Sequence, residues 1–486
     1  MLQTRSVTSS AFLFATILVM DRRNFLAAAS TAGLAVAFGG FGRLVEAAEI
    51  TGSIDKLRAI GYGELVPTAA KNTGEMVLAL PRGFEYNVLG KTGDKMSDGR
   101  LTPNEHDGMA AFMSGSELRL VRNHEINDDV PKDGVAIGTA NHYDDKAGGG
   151  TTTLIINPKT RLIERDFVSL SGTLNNCAGG PTPWGTWITC EETTHGVSKY
   201  MDDEDEVGGF AKPHGYCFEV QASANNTLPP LALTAMGRFS HEAIAVDPRT
   251  GIVYLTEDAK PFCGFYRFIP NRRNRLAEGG VLQMLAIHKK PSYNTQFGQT
   301  TGTRFDARWV TIDDPNTIKS DTDEQAVFKQ GARKGGTHFN KLEGCWSSPD
   351  GKIYFVSSSG GDAGGGQVWL YEPTAKDKGR LTLLFESPDR ELLDMPDNIC
   401  LEPGTGHLYM CEDSDYPGLS GRGDNFVRIL TPNGKIADFA RNILEGYEET
   451  EFAGATFSPD GTTLFFNIQT PGITVAVWGD FKNFKA

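Results

Sequence analysis

Six stretches of this chain repeat one pattern, and that repetition limits the possible folds more than any other feature. Four align directly: HEAIAVDPRTGIVYLTED (241–258), LEGCWSSPDGKIYFVSSS (342–359), PDNICLEPGTGHLYMCED (396–413) and FAGATFSPDGTTLFFNIQ (452–469). DGMAAFMSGSELRLVRNHE (107–125) and NNCAGGPTPWGTWITCEE (175–192) fit the same template. In most of them a short apolar run begins at or just after an acidic residue, turns on Pro, Gly and Asp, and returns as an aromatic-rich run. Short apolar runs separated by such turn residues are β-hairpins. No long amphipathic helix interrupts them. Six such units predict an all-β chain folded as a six-bladed β-propeller with short helical and loop insertions.

A hairpin places the residue before its first strand and the residue after its second strand at the same end. The entry residues are Asp107, Cys177, Glu242, Glu343, Asp397 and Glu451. The exit residues include Glu125, Glu191, Glu192, Glu257, Asp258, Glu412 and Asp413. As inner strands of six blades, these hairpins collect the side chains at one mouth of the central channel. So many carboxylates do not stay ionised at close range without cations. An isolated acid beside a turn is ordinarily a solvated cap, so the argument rests on recurrence. It predicts a multinuclear metal centre held by Cys177, Glu191, Glu192, Glu242, Glu343, Glu125, Asp107, Asp397, Glu257, Glu412, Asp413 and Glu451.

Oxygen ligands in number favour calcium, magnesium, manganese or ferric iron, whereas a thiolate favours a transition metal. The chain has no HExxH pair, no zinc-finger cage, no glycine-rich nucleotide fingerprint and no Gly-x-Ser-x-Gly elbow; Gly148–150 and Gly364–366 read as turns. A polynuclear site of this composition suits phosphoryl transfer. Lys341 and Lys260 are the candidate phosphate-holding cations, with Arg122 and Arg422 behind them.

The first residues read as an export signal. Asp21-Arg22-Arg23-Asn24-Phe25-Leu26 is a twin-arginine motif, followed by a mildly apolar Ala/Gly-rich run and a small-residue cleavage site at Val45-Glu46-Ala47. Met20 is then the expected initiator. The apolar run is too short and Gly-rich for a stable membrane anchor. The expected organisation is a signal peptide over 1–47, a linker or short helix over 48–74 and one catalytic propeller over 75–486. The twin-arginine translocase is the expected export partner, and the destination is the periplasm or the exterior. A net charge of −14 argues against nucleic acid as a partner. A closed propeller is expected to act as a monomer. Seven cysteines leave at least one free or ligating, and Cys400 with Cys411 is a plausible cross-strand bridge. The acidic run 202–206 reads as a solvated loop. The polar stretch 271–336 reads as outer strands plus a loop or lid over the channel.

These residues resemble the PhoX alkaline phosphatases. The resemblance is carried by the Arg-Arg signal, NCAGGPTPWGTWITCEE, GRFSHEA (237–243), TEDAKPFCGFYRF (256–268), PDNIC (396–400) and EFAGATFSPDG (451–461), and runs from about residue 75 to the end. It implies a six-bladed propeller hydrolysing small phosphomonoesters at an iron–calcium centre. It also implies that Cys177, one of Glu191 and Glu192, Glu242 and Glu343 lie on the iron side, and Glu125, Asp397, Glu412 and Asp413 largely on the calcium side. Lys341-Leu342-Glu343 stands where the family commonly has Arg-Pro-Glu, so the bidentate fork of an Arg becomes a point charge. The alternatives are a calcium-dependent lactonase of similar shape, or a propeller that binds cations for rigidity alone.

Overall fold

The computed structural model describes residues 54–127, 141–202, 205–375, 377–414 and 425–485. The signal region 1–47 and Arg422 lie outside the described residues. Among those described, no helix is long and apolar enough to cross a membrane.

Each repeat forms an antiparallel hairpin. The six are His106–Ser114 with Glu117–His124, Asn176–Pro181 with Thr186–Glu191, and His241–Val246 with Val253–Glu257, then Leu342–Ser347 with Ile353–Ser357, Pro396–Leu401 with Leu408–Glu412, and Phe452–Phe457 with Leu464–Ile468. The first strand of each hairpin packs against the first strand of the next, and Phe452–Phe457 packs against His106–Ser114, which closes the ring. Six blades therefore surround one axis.

Outer strands complete the blades. Blade one adds Gly149–Ile156 and Ile163–Thr173, whereas blade two adds only Cys217–Gln221. Blades three and four are joined into one ladder by Arg304–Thr311, which pairs with Gly280–Ile287 on one side and Lys378–Glu386 on the other. Blade five is extended by Leu78–Pro81 and Leu65–Thr68, so part of the stretch read as linker or short helix is strand. Blade six is completed by Glu85–Lys91 pairing with Ile473–Trp478, so the two ends of the propeller are held in one sheet.

Two local devices repeat around the ring. In the first five hairpins the entry residue and the residue after it face a single residue of the second strand, as a β-bulge; in the sixth the bulge falls at Gly454 and Ala455, three residues past Glu451. A bulge re-aims the side chain it carries. In all six, the exit residue donates its N–H to the carbonyl of the residue preceding the first strand. These bonds join Glu125 to Glu105, Glu192 to Asn175, Asp258 to Ser240, Ser358 to Lys341, Asp413 to Met395 and Gln469 to Glu451, at 3.0, 2.9, 3.2, 3.0, 3.0 and 3.2 Å. Every blade thus presents its mouth residues from the same backbone frame.

The inner strands approach closely because the position after four of the six entry residues is Gly or Ala. A Cβ on Gly108 would lie 2.6 Å from Ala178 Cα, and one on Gly344 would lie 2.5 Å from the Asp397 carbonyl oxygen. Below the mouth the channel narrows to about 20 Å³ between Gly108, Ala178, Ala243, Gly344, Asn398 and Gly454, room for about one water. Above this constriction the mouth is a cup. Gly108→Ala should force neighbouring backbone apart and destabilise the fold by about 1–3 kcal/mol in chemical denaturation.

Candidate metal centre

The side-chain alternation of a strand decides which acid of each pair reaches the cup. Glu191, Glu257 and Glu412 are the last residues of their strands and turn into the blades. Glu191 accepts hydrogen bonds from the backbone N–H groups of Leu174, Gly215 and Tyr216 at 3.0, 2.8 and 3.0 Å, and from His214 Nδ1 at 2.6 Å. Burial opposes a charge on His214, but Glu191 and Asp144 on either side outweigh it and push its pKa up to about 9. Glu257 accepts from the Gly264 N–H and the Tyr266 hydroxyl, both at 2.7 Å. Glu412 pairs with Arg428 Nε at 2.9 Å and accepts from the Asp394 and Phe426 N–H groups. These three are expected ligands, but their hydrogen bonds commit them to the blades instead; Glu257 is held through Oε2 alone, and its Oε1 is buried without a partner.

Their successors take the mouth. Glu192 and Asp258 join Asp107, Glu125, Cys177, Glu242, Glu343 and Asp397 in four overlapping groups of three. The groups are Asp107–Glu125–Cys177, Cys177–Glu192–Glu242, Glu192–Asp258–Glu343 and Glu242–Glu343–Asp397, with one donor atom per residue and all within 4.8 Å of one another. Donors on a single cation are separated by up to about 5 Å at ordinary metal–oxygen lengths. Shared members make the four groups one continuous arc. Asp413 and Glu451 stand beside it, and their charges act on each other and, through Glu451, on Asp107 and Asp397.

Four residues that the pattern of acids does not reveal hold this arc in place. Gln469, at the exit of blade six, donates to Glu125 at 2.6 Å and to Asp107 at 3.3 Å. Ser358, at the exit of blade four, donates to Glu343 at 2.8 Å. Asn123 donates to the carbonyls of Cys177 and Ala178 at 2.8 and 2.7 Å, and Asn467 donates to that of Asp107 at 2.6 Å. The only sequence signal for Ser358 and Gln469 is their place at the end of a repeat whose other copies end in acids.

The donor set fits metal ions. Asp107 Oδ1, both oxygens of Glu242 and Asp258 Oδ1 are buried without a hydrogen-bond partner, a costly arrangement for groups that only accept unless a cation satisfies them. Burial, followed by the charges of neighbouring acids, raises Asp107, Glu125, Glu192, Glu242, Asp397 and Glu451 well above the usual carboxylate range. The same causes push Asp258 up to about 7 and raise the Cys177 thiol.

The family profile of alkaline phosphatase PhoX matches residues 60–472. The chain belongs to the PhoX alkaline phosphatase family. It is a metal-dependent phosphoester hydrolase. Among solved structures it is similar to Pseudomonas fluorescens PhoX in complex with vanadate, a transition-state analogue. That match has a TM-score of 0.62 at 18% identity and covers 87% of this chain and 98% of that one. A gluconolactonase from Xanthomonas campestris gives a TM-score of 0.39 at 11% identity, covering 86% and 98%. No curated protein matches the chain in sequence.

In this PhoX-family chain the expected cations lie at different depths. Lys341 reaches over the arc, its Nζ 3.3 Å from Glu343 and 3.6 Å from Asp258. Glu343 foremost holds its ammonium charged, against the cost of burial. Lys260 is exposed at the rim, where its charge lowers the Asp258 pKa. Arg122 is buried inside the blades, donating to Thr474 at 2.7 Å and lying 3.3 Å from His106 Nδ1, so it does not face the cup. The stretch 271–336 supplies outer strands and the helix Ala326–Arg333, and Gln325 ties that helix to the carbonyls of Lys260 and Phe262. In the acidic run 202–206, Asp202 pairs with Asp205 at the end of a small hairpin.

Two outcomes follow from this division of labour. Glu412→Gln should cost about 3 kcal/mol of stability, as expected for a broken buried pair, and leave metal content unchanged; Asp413→Asn should do the reverse, as read by thermal unfolding and elemental analysis. Metal-free protein should lose stability as pH rises. Asp107, Glu125, Glu192, Glu242, Asp258, Asp397 and Glu451 titrate above their unfolded value of about 4, so the folded state retains protons that the unfolded chain has released. Stability is therefore highest near pH 4 and falls through the Asp258 value of about 7, as thermal unfolding in chelator should show.

Proposed function

We propose that the chain hydrolyses small phosphomonoesters at this cup, with iron on the Cys177 side and calcium on the carboxylate side. The observation that carries the reading is the arc of close carboxylates, four of whose oxygens are buried without a hydrogen-bond partner, joined to one thiol. A phosphate dianion would be repelled by these acids if they were ionised alone, so the site serves a phosphoester only with cations bound. When bound, such ions polarise phosphate oxygens and supply an activated oxygen nucleophile.

The residues of the chain divide the remaining work. Cys177, Glu192, Glu242 and Glu343 hold the thiophilic end, because a thiolate selects a transition metal over calcium. Asp107, Glu125, Asp258, Asp397, Asp413 and Glu451 hold the harder ions. Gln469 and Ser358 fix the carboxylates they touch, which spares reorganisation when a substrate arrives. Lys341 holds a non-bridging phosphate oxygen as a point charge, without the fork of an Arg. Lys260 guides the anion from the rim. The N-terminal twin-arginine motif directs export, and the mature chain works outside the cytoplasm as a monomer. A single-cation lactonase has no use for the thiol or for so many carboxylates.

Elemental analysis and a chromogenic phosphomonoester assay on the same exported sample test the reading. Iron together with calcium, and turnover abolished by chelator, is the expected result; calcium alone with no turnover overturns it. Cys177→Ala should lose iron and turnover while the protein stays folded. Lys341→Ala should lower kcat/KM by about 10- to 100-fold, the worth of one charged hydrogen bond, with metal content retained.

A further inference from the structure

Cys190 and Cys217 lie directly opposite each other on adjacent antiparallel strands, Thr186–Glu191 and Cys217–Gln221. The Glu191 N–H donates to the Tyr216 carbonyl at 3.0 Å, so 190 and 217 form a non-hydrogen-bonded pair. Such pairs bring Cα atoms to about 4.5 Å, within the range a disulfide accepts. The two Sγ atoms are 3.7 Å apart and both residues are fully buried, among Ile188, Met236, Phe239 and Ile244. No other cysteine pair has this register. Cys400 faces Tyr409 and Cys411 lies opposite the bulge at 397–398, so the bridge expected there is not formed and both thiols are free.

The location gives the pair a use. Blade two has three strands where the other blades have at least four, and Cys217–Gln221 is its outer edge. Just before that edge strand, Gly215 and Tyr216 donate their N–H groups to Glu191, the neighbour of Glu192 at the mouth. The edge strand therefore holds the end of the strand that presents Glu192, and among the described residues its outer side is met only by the isolated bridge of Phe218 with Ala232 and the Leu233 N–H bond to the Cys217 carbonyl at 2.9 Å.

We propose that Cys190 and Cys217 are a dithiol–disulfide pair that closes into a cross-strand bond in an oxidising environment and staples the edge of blade two to the strand leading to Glu192. With a small-molecule disulfide as oxidant, the step is two exchanges. One cysteine sulfur attacks the disulfide and releases one thiol, and the second cysteine sulfur displaces the other. The products are one protein disulfide and two small thiols, which carry away the two protons.

The full chain is equilibrated with reduced or with oxidised glutathione at a denaturant concentration below its unfolding transition, so that burial does not block exchange. It is then trapped in acid, alkylated under denaturing conditions and mapped by mass spectrometry. The expected result is seven alkylated cysteines in the reduced sample. The oxidised sample should show five, with one crosslinked peptide joining 190 to 217. Metal loss to a chelator should slow several-fold on oxidation in the wild type and not in Cys217→Ala. Seven alkylated cysteines at both ends, or a crosslink between other positions, overturns the proposal. The wild-type map stands alone if Cys217→Ala fails to fold.

Discussion

Like charges confined to one small, buried volume are the constraint on which the rest of this structure depends. Eight potential ligands form the arc of overlapping groups, seven of them carboxylates, and Asp413 and Glu451 stand next to them. Without cations Asp107, Glu125, Glu192, Glu242, Asp397 and Glu451 tend to hold protons, because burial and mutual repulsion both oppose ionisation. With cations, the same crowding becomes the source of affinity. The fold must therefore hold the ligands rigidly enough that they cannot turn outward to water.

The ring achieves this through repetition. Each exit residue is tied through its N–H to the carbonyl before its own hairpin, and each entry residue from Asp107 to Asp397 sits on a bulge that re-aims it toward the axis. Neighbouring blades are pinned by Asn123 and Asn467, whose amides hold the carbonyls of Cys177 and Asp107. Small residues such as Gly108 and Gly344 let the strands approach until these bonds form. The carboxylates that face into the blades, Glu191, Glu257 and Glu412, form a supporting layer bound to backbone N–H groups, His214, Tyr266 and Arg428.

Much of this was legible in the sequence. The six hairpins follow from turn chemistry, and five entry residues, Asp107, Cys177, Glu242, Glu343 and Asp397, sit where a common template places them. The exit side was not resolved, because Glu-Glu and Glu-Asp pairs leave open which member faces the axis. That parity depends on where pairing resumes past the bulge, a register that the turn residues do not encode. Ser358 and Gln469 escaped because an uncharged residue at the end of a repeat carries no ligand signal. Outer strands were the least legible. Arg304–Thr311 joins two blades and Glu85–Lys91 closes a third, and both pairings link segments far apart in sequence.

Resemblance and geometry agree on a PhoX-family phosphatase, and Lys341 brings to its mouth a point charge without the fork of an Arg. For metal to bind at this site, cations must displace protons from the buried acids. Calorimetric titration of metal-free protein with calcium, near neutral pH in two buffers of different ionisation enthalpy, measures this directly. A net release of protons on binding, larger at lower pH, is the expected result. Calcium binding with no proton exchanged would contradict it, because the acids would then be ionised in the empty site.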